Sequence, residues 1–254
     1  MSLVITKLLG LVTVQDAGRI GRMHEGLSRG GALVPSLLAW TNRAVANPDD
    51  TAGIEVLGRL VVRATAALDV SVGGSTHALQ IDDELAIESE PRRVTYLALR
   101  GGVAAPVVLG SCSTHLSAGL GAPLRAGTTV AASSVASILD DKPLPDLDAL
   151  DPIRVIPGPD AFPAMIAGPY KIASTSDRVG TRLDGPRLAR SDAPERSRPM
   201  ARGAIEVPRD GLPIVLGPEH PTTGGYPVIA VIASDDLDRF FSIRPGGSVR
   251  FVIA

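Results

Sequence analysis

The sequence predicts a mainly β protein built from many short strands. The 254 residues include 27 glycines and 21 prolines, and these fall between short apolar runs, the punctuation of strands joined by tight turns. The chain is 44% hydrophobic but only 3% aromatic, so its core must be built from Val, Leu, Ile and Ala. So many strands favour closed or nearly closed β structure, which removes exposed edges.

Taken in order, the first apolar runs are Val4 to Leu8, Ile54 to Leu57, Leu60 to Ala64, Leu68 to Val72, Ala78 to Ile81, Glu84 to Ile87 and Val94 to Leu99. A second set follows at Arg154 to Ile156, Tyr170 to Ala173, Gly203 to Val207, Ile214 to Leu216, Val228 to Ile232 and Ser248 to Ile253. One helix is expected from Val34 to Asn47, where Val34, Leu37, Leu38, Thr41, Ala44 and Val45 share a face. Ser36 is its candidate cap, and Asn47-Pro48 its stop, since Asn tolerates a left-handed turn and Pro cannot continue. Shorter helices are expected at Asp160 to Ala167 and at Asp235 to Phe241, the second capped by Ser234 and closed by Pro245-Gly246. The acidic, prolyl stretch Asp140 to Asp146 marks a boundary, giving domains at 1–145 and 146–254. The polar stretch 186–202 reads either as a loop over a site or as a solvated connection.

A net charge of −2 gives no electrostatic reason to expect nucleic acid or an anionic membrane. The single cysteine, Cys112, permits no intrachain disulfide and reads as a small buried residue. No apolar run reaches the roughly 18 residues of a membrane span. The first residues carry neither a charged n-region nor a cleavage site, so a soluble cytoplasmic protein is expected. His24, His77, His115 and His220 are scattered without metal-ligand spacing, and no metal is predicted. There is no Gly-x4-Gly-Lys-Ser/Thr loop, no Gly-x-Ser-x-Gly elbow and no lysine flanked by methionines that would carry biotin.

Five strings carry candidate chemistry, and each has a plainer reading beside it. Gln15-Asp16-Ala17-Gly18-Arg19 ends an apolar run and either presents polar groups to a ligand or is a turn with a surface pair. Ser28-Arg29-Gly30-Gly31 precedes the long helix, where amides make an anion site, or simply leads into it. Asn42 is a ligand contact or a buried structural amide. Arg100-Gly101-Gly102 is a carboxylate or phosphate contact at a strand end, or a surface turn. Asp177-Arg178 and Thr222-Thr223-Gly224-Gly225-Tyr226 offer an acceptor, a rigid fork of donors, two hydroxyls and unhindered amides, the donor set of an oxyanion cradle, or else two turns.

The order of these strings resembles the biotin-dependent carboxyltransferase-like family. That family includes the C subunit of 5-oxoprolinase, the allophanate hydrolase subunit 2 domain, part of the urea carboxylase carboxyltransferase, and the antagonist of a sporulation-kinase inhibitor. The resemblance also runs through Leu109-Gly110-Ser111, Ser113-Thr114, Arg154 to Pro159, Ser176 to Pro186, Gly203 to Pro208 and Arg244-Pro245-Gly246, and covers nearly the whole chain. It implies two cyclophilin-like β-barrel domains with a few short helices. It also implies a subunit-B partner, with an A-type subunit that completes the reaction. The implied activity is that of a hydrolase subunit that opens the cyclic amide 5-oxoproline to glutamate, with ATP consumed by the complex. Transfer of a carboxyl group to urea, or non-catalytic regulation of a partner, are the alternatives. The residues implied in catalysis are Arg100, Asp177, Arg178, Thr222 and Thr223. Those implied in substrate binding are Gln15, Asp16, Gly30, Gly31, Asn42, Gly101, Gly102, Gly224, Gly225 and Tyr226. Two positions depart from the family pattern: Val34 stands where relatives usually carry aspartate, and Glu206 where many carry glutamine.

Overall fold

The computed structural model describes residues 1–137, 142–143, 146–148, 152–160, 168–189 and 196–254. The boundary residues 140, 141, 144 and 145, the expected helix at 161–167 and residues 190–195 of the polar stretch lie outside them. The fold is mainly β. The chain divides into two compact units, residues 1–20 with 30–145 and residues 21–29 with 146–254.

The first unit holds β1 (Ser2–Gln15), α1 (Pro35–Arg43), β2 (Gly53–Ala64), β3 (Leu68–Val72), β4 (Ser75–Leu79), β5 (Glu84–Glu88), β6 (Thr95–Leu99) and β7 (Thr129–Ala131). The sheet runs β4-β3-β6-β2-β1-β7, with β5 also on β2. All pairs are antiparallel. β1 and β2 form one long ribbon where the sequence suggests a short strand and two separate ones. Gly58, expected to break a strand, instead pairs with Gly10 inside the ribbon. Both have positive φ, and a Cβ at either would lie 2.1–2.2 Å from the carbonyl oxygen of Leu57 or Leu9. The glycine pair lets the two backbones bend together, and beside it β2 changes partner from β6 to β5. A bulge between Ile5 and Lys7 shifts the inward set of β1 from Leu3 and Ile5 to Val12 and Val14. These pack with Ile54, Val56, Leu60, Val62, Val70 and Leu97. The β3–β4 hairpin turns on Gly73-Gly74, both at positive φ as a two-residue turn requires.

α1 packs on β6 and β3, and it differs from expectation at both ends. Val34, not Ser36, is the capping position, and no side chain caps it. Instead the amides leading into the helix are taken from the sheet. Leu33 N–H donates to the Glu55 carboxylate at 2.7 Å, and Val34 N–H donates to the Tyr96 hydroxyl at 2.9 Å. At the far end Ala46, not Asn47, takes the left-handed conformation (φ 57°). Asn47 N–H bonds the Asn42 carbonyl and Ala46 N–H the Arg43 carbonyl, the paired closure of a Schellman motif. The Asn47 amide is needed elsewhere: it donates to the Leu99 carbonyl and accepts from Gly101 N–H, both at 2.8 Å.

The second unit holds β8 (Ile153–Pro157), β9 (Tyr170–Ile172), β10 (Gly180–Asp184), β11 (Arg198–Pro199), β12 (Ala204–Glu206), β13 (Ile214–Leu216), β14 (Thr223–Gly224), β15 (Val228–Ile232), α2 (Leu237–Ser242), β16 (Ser248–Val249) and β17 (Phe251–Ile253). Its sheet runs β16-β9-β10-β13-β12-β15-β8-β17, and β11-β14 form a separate ribbon. The sequence suggests one strand from Ser248 to Ile253. The chain instead splits at Arg250, β16 pairing with β9 and β17 running parallel to β8. These are the two ends of the sheet, so six consecutive residues nearly close the barrel. Inside, Tyr170 packs near Phe251, and Phe240 against Phe241 edge to face. The cavity among Val155, Tyr170, Ile205 and Phe251 measures ≈ 10 Å³, about one water, so the side chains are closely packed there. α2 is preceded by a 3-10 turn at Ser234–Asp236, and Ser234 does not cap it. The Asp236 carboxylate accepts from Arg154 N–H (2.7 Å), from the Arg154 guanidinium and from Arg239, which hold it below the usual aspartate range.

The ribbon geometry makes a direct prediction. Gly58→Ala is expected to destabilise the chain by at least about 2 kcal/mol in urea unfolding, because a strained φ and a backbone clash coincide there. Unchanged stability would show that the Gly10–Gly58 contact is not what bends the ribbon.

Candidate functional site

In the first unit the sequence strings converge on Asp16. Its Oδ1 accepts from Gly18 N–H (2.8 Å), the Ser111 hydroxyl (2.6 Å) and the Ser113 hydroxyl, and its Oδ2 accepts from Cys112 N–H (2.6 Å). Asp16 N–H in turn donates to Ser113 Oγ at 2.9 Å. Burial pushes the Asp16 carboxyl up, but the bonds from Ser111, Ser113, Gly18 and Cys112 outweigh it and hold it below its ordinary 3.8. Burial and the neighbouring Asp16 charge push the Cys112 thiol up, keeping it un-ionised. Buried Arg19 donates to the Val108 carbonyl at 3.1 Å, a second tie to the same loop. Gln15 is fully buried, its amide donating to Thr13 Oγ1 and the Thr114 carbonyl, both at 3.0 Å.

The glycines of this region are packed against their own chain. A Cβ on Gly31 would lie 3.0 Å from the Asp16 and Ala17 carbonyls, and one on Gly30 would lie 2.8 Å from the His115 ring. The helix start proposed for an anion has its Leu33 and Val34 amides already bonded to Glu55 and Tyr96. Asn42 is buried with its amide spent on the Thr51 carbonyl at 2.8 Å. Arg100 is exposed, 3.2 Å from Asp69 across a solvated pair. Gly101 and Gly102 both have positive φ, and their Cβ positions are filled by the Ser133 carbonyl and the Thr51 methyl. In this unit the quoted residues other than Arg100 therefore brace loops.

In the second unit Arg178 is 2% exposed, and its Nε donates to Glu219 Oε1 at 2.6 Å. The Arg178 carbonyl accepts from Glu219 N–H, and a Cβ on Gly217 would lie 2.3 Å from that carbonyl oxygen. His220 follows, buried, with its Nδ1 2.8 Å from the Pro221 carbonyl. This ion pair thus anchors the segment that enters Thr222. Asp177 is exposed, and its carboxylate accepts from Val179 and Gly180 N–H, a local turn.

Thr222 to Tyr226 lies at the surface. Thr223-Gly224 pairs with Arg198-Pro199, and Met200 N–H donates to the Thr222 carbonyl. A Cβ on Gly224 would meet Met200 Cε at 2.6 Å. Met200 packs on Ala204, Leu216 and Val228, so the β11-β14 ribbon sits on the outer face of the barrel sheet. The two strings Gly203–Pro208 and Thr222–Pro227 are neighbours there: Glu206 pairs with Val228, and Val207 N–H donates to the Pro227 carbonyl at 3.0 Å. Glu206 is 9% exposed. Burial pushes its carboxyl up, Arg182 pulling weakly the other way.

Sequence reasoning did not single out Glu219 or Tyr96, and it reached Arg182 only as part of a charge network with Asp177, Arg178 and Asp184 and Glu55 only as a polar residue near apolar ones. Glu219 lies 41 positions from Arg178, and no local signal links them. Among the described residues, no group of three or more His, Cys, Asp or Glu could hold a metal ion, and no helix is long and apolar enough to cross a membrane.

A barrel-forming β chain with this arrangement of strings is matched by the model of the carboxyltransferase domain, subdomain A and B, over residues 25–253. The chain belongs to that family. It is 32% identical over 270 residues to the C subunit of 5-oxoprolinase from Escherichia coli (strain K12), covering 94% of this chain and 87% of that protein. It is 25% identical over 297 residues to the urea amidolyase of Lachancea kluyveri, covering 94% of this chain but 16% of that protein. The crystal structure of TTHA0988 superposes with a TM-score of 0.85 at 27% identity, covering 99% of this chain and 55% of that one. The chain thus spans little more than half of TTHA0988 and a small part of the urea amidolyase.

The two anchors can be told apart experimentally. Asp16→Asn is expected to cost about 2 kcal/mol at pH 7, since a charged acceptor of several bonds is lost. The folded carboxyl titrates below its unfolded value, so this contribution is complete above about pH 4 and is lost as pH falls through the folded pKa. Urea titrations at pH 7 and pH 3 should show the difference shrinking, and a constant difference would rule out the ionised brace. Arg178→Ala is expected to destabilise by about 3–5 kcal/mol, because it strands a buried carboxylate. Pairing Arg178→Met with Glu219→Leu should recover most of that loss, and no recovery would mean that Arg178 acts through other contacts.

Proposed function

We propose that this chain is the C-type subunit of an ATP-dependent 5-oxoprolinase. It acts with a B-type subunit on the amide carbonyl of 5-oxoproline, and an A-type subunit then completes hydrolysis to glutamate. The observation that carries this reading is the near full-length similarity to the C subunit of 5-oxoprolinase, with Thr223 and Tyr226 exposed and Thr222, Gly224 and Gly225 half-buried beside them. The segment offers the Thr222 and Thr223 hydroxyls and the Gly225 N–H to a carbonyl oxygen, where donors fixed before reaction stabilise developing negative charge. Arg178 and Glu219 hold that segment from behind. Arg178 is therefore assigned as a positioning residue and not as a donor to substrate, and Asp177 as the turn that places it.

ATP belongs to the complex in this reading. The first unit's helix-start amides are taken and its glycines are packed by the chain itself, so no phosphate cradle is assigned there. Carboxyl transfer to urea is the second reading, supported by the similarity to urea amidolyase. Both substrates present a carbonyl beside N–H, so the same segment serves either.

Glutamate release from 5-oxoproline and ATP should require this chain when it is purified with its B- and A-type subunits. An intact complex without 5-oxoproline turnover would refute the first reading, and carboxyl transfer to urea with a biotin carrier would then establish the second.

A further inference from the structure

The outer face of the second unit's sheet carries two opposite charges that make no hydrogen bond or ion pair with a described residue. Strand pairing aligns Arg182 with Ile214, Ile214 with Glu206, and Glu206 with Val228, so these side chains stand in one row on one face. β10 and β12 are two strand spacings apart, roughly 9–10 Å. Arg182 is exposed, and its guanidinium makes no hydrogen bond or ion pair with a described residue. Glu206 is nine-tenths buried, and its carboxyl likewise has no hydrogen-bond partner among the described residues. Half-buried Ile214 separates them. The row runs beside the β11-β14 ribbon, whose Met200 covers Val228, and Glu206 is one residue from the bond that joins Val207 to Pro227 at the end of the Thr222–Tyr226 segment. The nearby Arg198 is already occupied by Asp160 at 2.6 Å.

A largely buried carboxylate whose oxygens still reach solvent and an exposed guanidinium, held at fixed separation with an apolar floor between and neither hydrogen-bonded to a described residue, match a ligand of complementary polarity. We propose that this row is a binding site for a small amide that also bears a carboxylate. Arg182 takes the carboxylate, Glu206 accepts the amide N–H, and Ile214 underlies the carbon skeleton, turning the carbonyl oxygen toward Thr222–Gly225. Where the functional reading left the substrate's orientation open, this fixes it and makes Arg182 and Glu206 specificity residues. The identity of the ligand as 5-oxoproline rests on that reading; the polarity of the site does not.

The test compares 5-oxoproline with 2-pyrrolidone, the same ring without the carboxylate, by amide chemical-shift titration and calorimetry on the full chain. Arg182→Gln should weaken 5-oxoproline on the order of tenfold and leave 2-pyrrolidone unchanged, as expected for loss of one charge-assisted contact. Glu206→Leu should weaken both ligands. Arg182 is exposed, so its variant reports binding even if the Glu206 variant folds poorly. Shift changes at residues 180–184 and 204–207 are expected. Equal weakening of both ligands by Arg182→Gln, unchanged affinities, or absence of shifts in those segments would overturn the site. If the assembled complex turns over 5-oxoproline with the same KM in both variants, the function stands and this site falls. If the wild-type complex has no such turnover but the ligand and variant pattern holds, the site stands and the function falls.

Discussion

A chain this rich in short strands must pair or cover every strand edge, and that requirement organises both units. The second unit meets it by dividing Ser248–Ile253 between the two ends of one sheet, so that β16 and β17 nearly close it. The first meets it by letting β2 change partners along its length, with Gly10 and Gly58 absorbing the bend. In the second unit the consequence is an interior filled by aliphatic and aromatic side chains. The β11-β14 ribbon packs on its outer sheet face.

The polar side chains sort by whether the fold consumes them. Asp16, Glu55, Arg178 and Glu219 are charged groups held inside, each with partners that offset the cost of leaving water. They tie loops to strands that are distant in sequence: Asp16 to residues 111–113, Glu55 to the entry of α1, and Arg178 to the approach of Thr222. A residue so occupied has those acceptors or donors committed to the fold. Thr222, Thr223, Arg182 and Glu206 are different. They stand on or beside one sheet face in one unit, with their backbones fixed by pairing.

Much of the fold was legible locally. Ile214–Leu216 and Val228–Ile232 form strands as expected, and most other runs are displaced by only a residue or two. Local pattern misleads where glycine acts within a strand instead of ending it, as at Gly58, and where a strand divides between partners, as at Arg250. It also misleads at the helix ends, where Tyr96 and Glu55 replace the expected Ser36 cap and Ala46 takes the turn expected of Asn47. In each case the deciding contact comes from a strand far along the chain, which hydrophobic periodicity does not encode.

The site divides in the same way. The sequence by itself determined the mainly β composition, the segments that carry hydroxyls, glycines and charges, and the family to which their order belongs. Those properties depend on residue type and local spacing. Only the tertiary structure decided which of these groups are spent on the fold and which remain available. Arg178 and Arg182 are four residues apart, yet β10 and its preceding turn send one into a buried pair with Glu219 and leave the other on the surface in line with Glu206. Strand register sets that difference, because it fixes which face each side chain occupies and which distant residue it meets.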